Sequence, residues 1–182
     1  MTFIIIIVLA AAVLLWAMSA YNGLVTLRNK VETSFAQIDV VLQRRADLIP
    51  NIVATVKGYA KHESETLENV IRARNTYMSA STPSKKIEAS NQITGALRQL
   101  FALSESYPEL KANTNFLDLQ KQLTETEDKI QFSRQFYNDD VKKYNTACQT
   151  FPKSILASLF HFQTYDYFKA DEGSRQAPKV EF

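Results

Sequence analysis

From Met1 to Ala20 the chain carries no charged side chain, and the only polar side chains there are Thr2 and Ser19. A helix that is apolar all round has no face to show water, so this segment is expected in lipid. At about 1.5 Å of rise per residue, Phe3 to Ala20 spans roughly 27 Å, close to the hydrocarbon thickness of a bilayer, and Trp16 and Tyr21 suit the headgroup boundary. Ala17-Met18-Ser19 offers small residues at a cleavable spacing, but no Lys or Arg precedes the apolar run and the helical pattern continues past Ala20. A retained single-pass anchor is therefore expected rather than a signal peptide. The nearest basic side chains, Arg28 and Lys30, lie on the C-terminal side, so the positive-inside rule places the following domain in the cytoplasm.

Beyond the anchor, apolar residues recur at Leu24, Leu27, Val31, Phe35, Ile38, Leu42, Ala46, Ile49, Val53, Val56 and Ala60, in steps of three and four. That spacing keeps them on one side of a single helix. Pro50 falls inside the stripe, where it removes a backbone donor and crowds the carbonyl of Ala46, yet the phase does not change across it. The expectation is one nearly continuous helix, kinked at Pro50 and ending between Gly58 and His62.

A second helix fits Ser64 to about Ala80, with Leu67, Val70, Ile71, Arg74, Tyr77 and Met78 in phase and Glu65 and Glu68 near its positive end. After a loop at residues 79–84, a third carries Ile87, Ile93, Ala96, Leu97, Leu100 and Leu103 and stops before Tyr107-Pro108. A fourth holds its period through Phe116, Leu119, Leu123, Thr126, Ile130, Ser133, Tyr137, Val141, Tyr144, Cys148 and Phe151, with Pro152 as its stop. A short amphipathic piece, Ser154 to Phe162, and the aromatic Tyr165, Tyr167 and Phe168 follow. With only 4 glycines and 5 prolines in 182 residues, long helices are favoured over a turn-rich sheet. The fold expected is all-α: a transmembrane anchor (1–20) continuing into an antiparallel four-helix bundle (21–152). A C-terminal segment (153–182) is expected to pack on the bundle or the membrane surface.

Little in the sequence points to catalysis. A net charge of +2 from 21 basic and 19 acidic residues argues against nucleic acid as a partner. One cysteine excludes an intrachain disulfide and a Cys-rich metal site. His62-Glu63 resembles the start of a zinc-hydrolase motif, but the second ligand position holds Thr66, and the other histidine, His161, is distant. Cys148 lies on the apolar stripe between Tyr144 and Phe151 and reads as core packing. The acidic Glu125, Glu127, Asp128, Asp139 and Asp140 read as helix surface. No cofactor is implied.

Two clusters stand out. Arg44, Arg45 and Asp47 beside Pro50 and Asn51 join charge to a backbone irregularity on an otherwise apolar helix. The arginines are either solvated, or paired with Asp47 or acids of a neighbouring helix, or a basic ledge for a partner. If the helix is continuous, Arg44 lies roughly 36 Å beyond Ala20, too far for simple snorkelling, and so Arg44, Arg45, Asp47 and Asn51 form the candidate partner-binding set. The other cluster is Tyr137-Asn138 and Tyr144-Asn145, one dipeptide repeated seven residues on. Tyrosines at that spacing are expected as core residues with their hydroxyls at the edge.

Several ordered segments together resemble the LemA family of bacterial membrane proteins. They are Tyr21-Asn22-Gly23-Leu24-Val25, Ile38-Asp39-Val40, Arg44-Arg45, Asp47-Leu48-Ile49-Pro50-Asn51, Val56-Lys57-Gly58-Tyr59, Tyr107-Pro108-Glu109-Leu110-Lys111-Ala112, Tyr137-Asn138, Tyr144-Asn145, Phe151-Pro152 and Pro178-Lys179-Val180-Glu181-Phe182. Phe35 stands where the family often has Trp, and His161 where a Gly commonly precedes the residue equivalent to Phe162. Histidine tolerates positive φ poorly, so the backbone before Phe162 is an open point. The resemblance implies an anchored four-helix bundle but no activity. It also implies relatives in magnetosome membranes and a link by gene order to membrane metalloproteases.

The expected role is a scaffold or adaptor at the bacterial cell membrane, not an enzyme, that binds another membrane protein or shapes the membrane surface. A regulatory partner of a membrane protease is the alternative, and self-association is compatible with either.

Overall fold

The structure is a computed structural model describing residues 1–60 and 62–169. The remainder of the C-terminal segment, including the closing Pro178–Phe182 that enters the resemblance, lies outside the described residues. Among the described residues six helices occur in the order α1 (Thr2–Tyr59), α2 (Ser64–Ser79), α3 (Pro83–Ser104), α4 (Pro108–Lys111), α5 (Thr114–Gln149) and α6 (Lys153–Leu159). No strand occurs among the described residues. Two compact units divide them: residues 1–36 with 135–167, and residues 37–134 with Phe168 and Lys169.

Local chemistry sets the helix ends. Pro83 follows Thr82, whose hydroxyl accepts from the Lys85 amide at 3.3 Å, an N-cap with proline at the first helical position. Asn113 caps α5 by accepting from the Phe116 amide at 3.0 Å, while its Nδ2 donates to the Tyr59 hydroxyl at 2.9 Å. The anticipated stop before Tyr107-Pro108 holds, but Pro108 then starts the one-turn helix α4, which the apolar periodicity does not reveal because four residues carry only one buried side chain, Leu110.

α1 passes through Pro50 without a break. Proline leaves the Ala46 carbonyl without its usual helical donor, and Arg74 of α2 supplies a replacement, its Nε donating to that oxygen at 2.9 Å. A long-range side chain thus satisfies the group that an interior proline orphans.

Burial along α1 changes at one residue. Every described side chain before Ala17 is exposed, Ala20 is the first buried one, and Leu24, Val31, Ile38, Leu42, Ala46, Ile49, Val53 and Val56 follow as core, with Ala60 just past the helix end also buried. In α5 the anticipated stripe is buried at Phe116, Leu123, Thr126, Ile130, Tyr137, Val141, Tyr144 and Cys148. Three apolar assignments need correction. Phe151 lies beyond the end of α5 and is 77% exposed, and Ile71 and Met78 of α2 are also exposed. The buried face of α2 is narrower, formed by Leu67, Val70, Ala73 and Tyr77 at strict three- and four-residue steps.

Candidate functional site

Arg44 and Arg45 are neighbours in sequence and opposites in environment. One residue of an α-helix turns the side chain by about 100°, so the two arginines cannot share a face. Arg44, Asp47 and Asn51 lie on the exposed side of α1, where Asp47 Oδ1 accepts from Gln43 Nε2 at 2.9 Å. Arg45 is 1% exposed. Of the four residues expected on a ledge, Arg44, Asp47 and Asn51 are exposed, and the placement of Arg45 among them is corrected. The sequence carried the signal: position 45 falls between Leu42 and Ile49 at helical spacing, inside the apolar face.

The buried guanidinium ties three helices of the 37–134 unit together. Nη1 donates to Thr94 Oγ1 at 2.9 Å and to Glu127 of α5, and Nη2 donates to the Ser90 carbonyl at 2.9 Å and its hydroxyl at 2.6 Å. Burial pulls the Arg45 pKa below its ordinary value, and the Glu127 carboxylate opposes that shift. Glu127 thus belongs to this hub and not to the helix surface where its acidic neighbours suggested it lay; its side chain is 25% exposed. Charge-assisted bonds to four oxygens compensate for desolvating the guanidinium, and their fixed fork geometry sets the register of α1, α3 and α5.

A second polar node in the same unit centres on Asp39. Tyr77 donates to its Oδ1 at 2.8 Å and Lys86 to its Oδ2 at 2.6 Å, which joins α1, α2 and α3. Burial, reinforced by the bond to Asp39, pushes the Tyr77 hydroxyl up. Sequence reading gave Asp39 and Lys86 no site role, since single charges on helices carry no spacing signal.

In the unit of residues 1–36 and 135–167, the repeated Tyr-Asn dipeptides hold an extended piece of chain. Asn145 is buried; its Nδ2 donates to the Tyr165 carbonyl at 2.9 Å and its Oδ1 accepts from the Tyr165 amide at 3.0 Å. The side-chain amide therefore pairs with the Tyr165 backbone as a neighbouring strand would. Tyr137 donates to the Asp166 carbonyl at 3.0 Å, the Tyr144 ring meets Tyr165 edge-on at 5.4 Å, and the Tyr165 hydroxyl donates to Glu32 at 3.0 Å. The tyrosines are core residues, as expected, and Tyr137 and Asn145 hold this chain's own backbone while Tyr144 packs on the Tyr165 ring. Desolvation pushes Tyr137 and Tyr165 up to about 12.

His161 answers the open point before Phe162. It takes φ 55°, and the Phe162 amide donates to the Ala157 carbonyl at 2.9 Å while the His161 amide donates to that of Ser158 at 3.3 Å. This is the paired-bond helix terminus that normally uses glycine, built here with a histidine in the left-handed region. Cys148 is buried, and burial pushes its thiol up. His62 is exposed, and among the described residues no group of His, Cys, Asp and Glu is placed to hold a metal ion.

Among known proteins, the chain is 25% identical over 158 residues to Protein LemA of Metamycoplasma hominis, covering 85% of this chain and 71% of that protein. It is 22% identical over 174 residues to Magnetosome protein MamQ of Magnetospirillum gryphiswaldense, with 81% of this chain covered, and 23% identical to Magnetosome protein MamQ 2 of Paramagnetospirillum magneticum. The chain spans 64% of the length of each of these magnetosome proteins. The LemA family model matches residues 34–182, a span that includes the Arg45 hub and both Tyr-Asn dipeptides, and the chain belongs to the LemA family.

Proposed function

We propose that this protein is a membrane-anchored helical scaffold, held by α1 in a single pass with its domain on the cytoplasmic side. The observation that carries the reading is the switch in α1 at Ala20. Up to that point the helix is apolar and exposed, with a mean hydropathy of 2.8 over its most apolar window, and beyond it the same helix is core. A surface this apolar is stable in lipid and not in water, and the continuing helix leads straight into the folded part of the chain.

The finer architecture we propose is an antiparallel four-helix bundle of α1, α2, α3 and α5. Its support is the set of polar ties within residues 37–134, where Arg45, Asp39 and Arg74 connect these helices. A scaffold needs a defined outer face, and the ledge of Arg44, Asp47 and Asn51 offers one. The Arg44 guanidinium presents a fork of donors suited to acidic groups on another membrane protein.

The test is a photo-crosslinking residue placed at Arg44, at Asn51 and at the buried Ile38, in the full-length chain in its native membrane. Adducts from positions 44 and 51 should converge on the same protein, whether a different protein or a second copy, and position 38 should give none. If no exposed position yields a protein adduct, the scaffold reading fails.

A further inference from the structure

Residues 1–36 and 135–167 contain, besides the Tyr-Asn clamp, an open groove of about 720 Å³ whose wall includes Trp16 from the apolar end of α1 and Lys142, Lys143 and Lys153 from α5 and α6. One acid, Asp139, lines it against the three lysines, and Lys143 keeps a loose 3.8 Å pair with Asp140. The local balance is positive on a chain that is nearly neutral as a whole. Lys142 and Lys143 are exposed.

The same unit carries a cluster of uncovered apolar side chains. Phe151, Ile155, Leu159 and Phe160 are 77%, 59%, 66% and 52% exposed. Their level along α1 is fixed by ring contacts: Tyr21 packs edge-on against Phe160 at 4.9 Å and against Phe162 at 5.6 Å. Tyr21 is the first residue after the apolar segment. The apolar residues beside Tyr21 therefore lie where a bilayer's hydrocarbon gives way to headgroups, and the groove carries its lysines outward from Trp16 along α5 and α6. An apolar surface beside a row of lysines at that depth matches an anionic leaflet: the rings and aliphatic chains enter the acyl boundary while the ammonium groups reach phosphate.

We infer that this groove is a binding site for the headgroup of an anionic phospholipid, with Trp16 in its wall on the apolar side and Lys142, Lys143 and Lys153 as the phosphate-facing cations. The inference rests on the membrane-anchor reading and adds to it a lipid class and a site. It also assigns α6 a role, as a shelf that lies in the interface.

Trp16 is the sole tryptophan, so its fluorescence reports directly on the groove. The full-length chain is reconstituted in vesicles of phosphatidylcholine brominated on its acyl chains, and unbrominated phosphatidylglycerol or phosphatidylcholine is titrated in. Phosphatidylglycerol should relieve quenching with a preference of roughly five-fold or more over phosphatidylcholine. Lys142→Gln/Lys143→Gln/Lys153→Gln should bring the preference to about one, and the Lys→Arg triple variant, which keeps the charge, should retain it. Added inorganic phosphate should leave it unchanged. A wild-type preference of about one, a preference that survives the glutamine variant, one lost in the arginine variant, or displacement by inorganic phosphate would overturn the site. Release of the chain from the vesicles by alkali would instead overturn the anchor reading and the site together, whereas a retained chain with no preference sinks the site alone.

Discussion

Around Arg45, three helices meet on one guanidinium, and the ties are charge-assisted bonds in a buried setting. Around Asn145, the ties run from a neutral amide to backbone and from ring to ring, and they fasten an extended piece of chain to helices. The two regions use polar groups for different ends. A buried ion pair costs desolvation and adds little net stability over apolar packing, but breaking one partner leaves an uncompensated charge or acceptor set, so it locks register strongly. A neutral amide clip is cheaper to build and weaker to lose, which suits a segment that only needs to lie in place.

The largest effect should come from Arg45→Gln. It strands Glu127 and the Ser90 carbonyl, and destabilisation of about 3–5 kcal/mol is expected in denaturant unfolding of the full-length chain in detergent. Arg44→Gln, one residue away, should stay within about 0.5 kcal/mol of the parent. Equal effects of the two substitutions would erase the distinction between hub and ledge. Asn145→Ala should cost about 1–3 kcal/mol, since both polar groups of the Tyr165 peptide lose their partner. A loss as large as that of Arg45→Gln would show that the clip, too, holds the fold.

Alkali probes the clip through its own tyrosines. Desolvation pushes Tyr137 and Tyr165 up to about 12 from an ordinary value of 10.0. Their folded pKa is raised, so the stability linked to them is complete below pH 10 and falls as pH rises toward 12. Unfolding followed over that range should show the decline, and Tyr137→Phe/Tyr165→Phe should make it shallower, Tyr77 and Tyr144 supplying the remainder. A decline unchanged in the double variant would place its origin elsewhere. The smallest expected effect is a gain: His161→Gly relieves a left-handed histidine and should stabilise by about 0.5–1 kcal/mol. A loss of stability there would mean that the histidine side chain has a role its exposure does not suggest.

The apolar stripes of α1 and α5 were legible in the sequence because burial on a long helix repeats every three to four residues, and Leu24 to Ala60 does so. Tertiary partners were not. Pro50 interrupts the stripe without changing its phase, which the sequence shows, but its accommodation depends on Arg74, 24 residues later, which no local pattern signals. Arg45 sat in phase with Leu42 and Ile49, yet pairing it with Arg44 as a charge run concealed that phase. Glu127 was hidden by its acidic neighbours Glu125 and Asp128, two of the three being exposed while the third faces inward. Phe151 kept the period on paper, but α5 ends at Gln149, and beyond a helix end the period no longer says which way a side chain points.

In the proposed arrangement one helix is a membrane anchor up to Ala20 and part of the folded domain beyond it. Its most direct test is the labelling of single cysteines, in a Cys148→Ala background, by a membrane-impermeant maleimide in native membranes. Val13→Cys should be protected until detergent is added, and Asp47→Cys should label readily once its side of the membrane is accessible. Labelling of Val13→Cys in intact membranes as fast as that of Asp47→Cys would mean that the apolar segment does not lie in lipid.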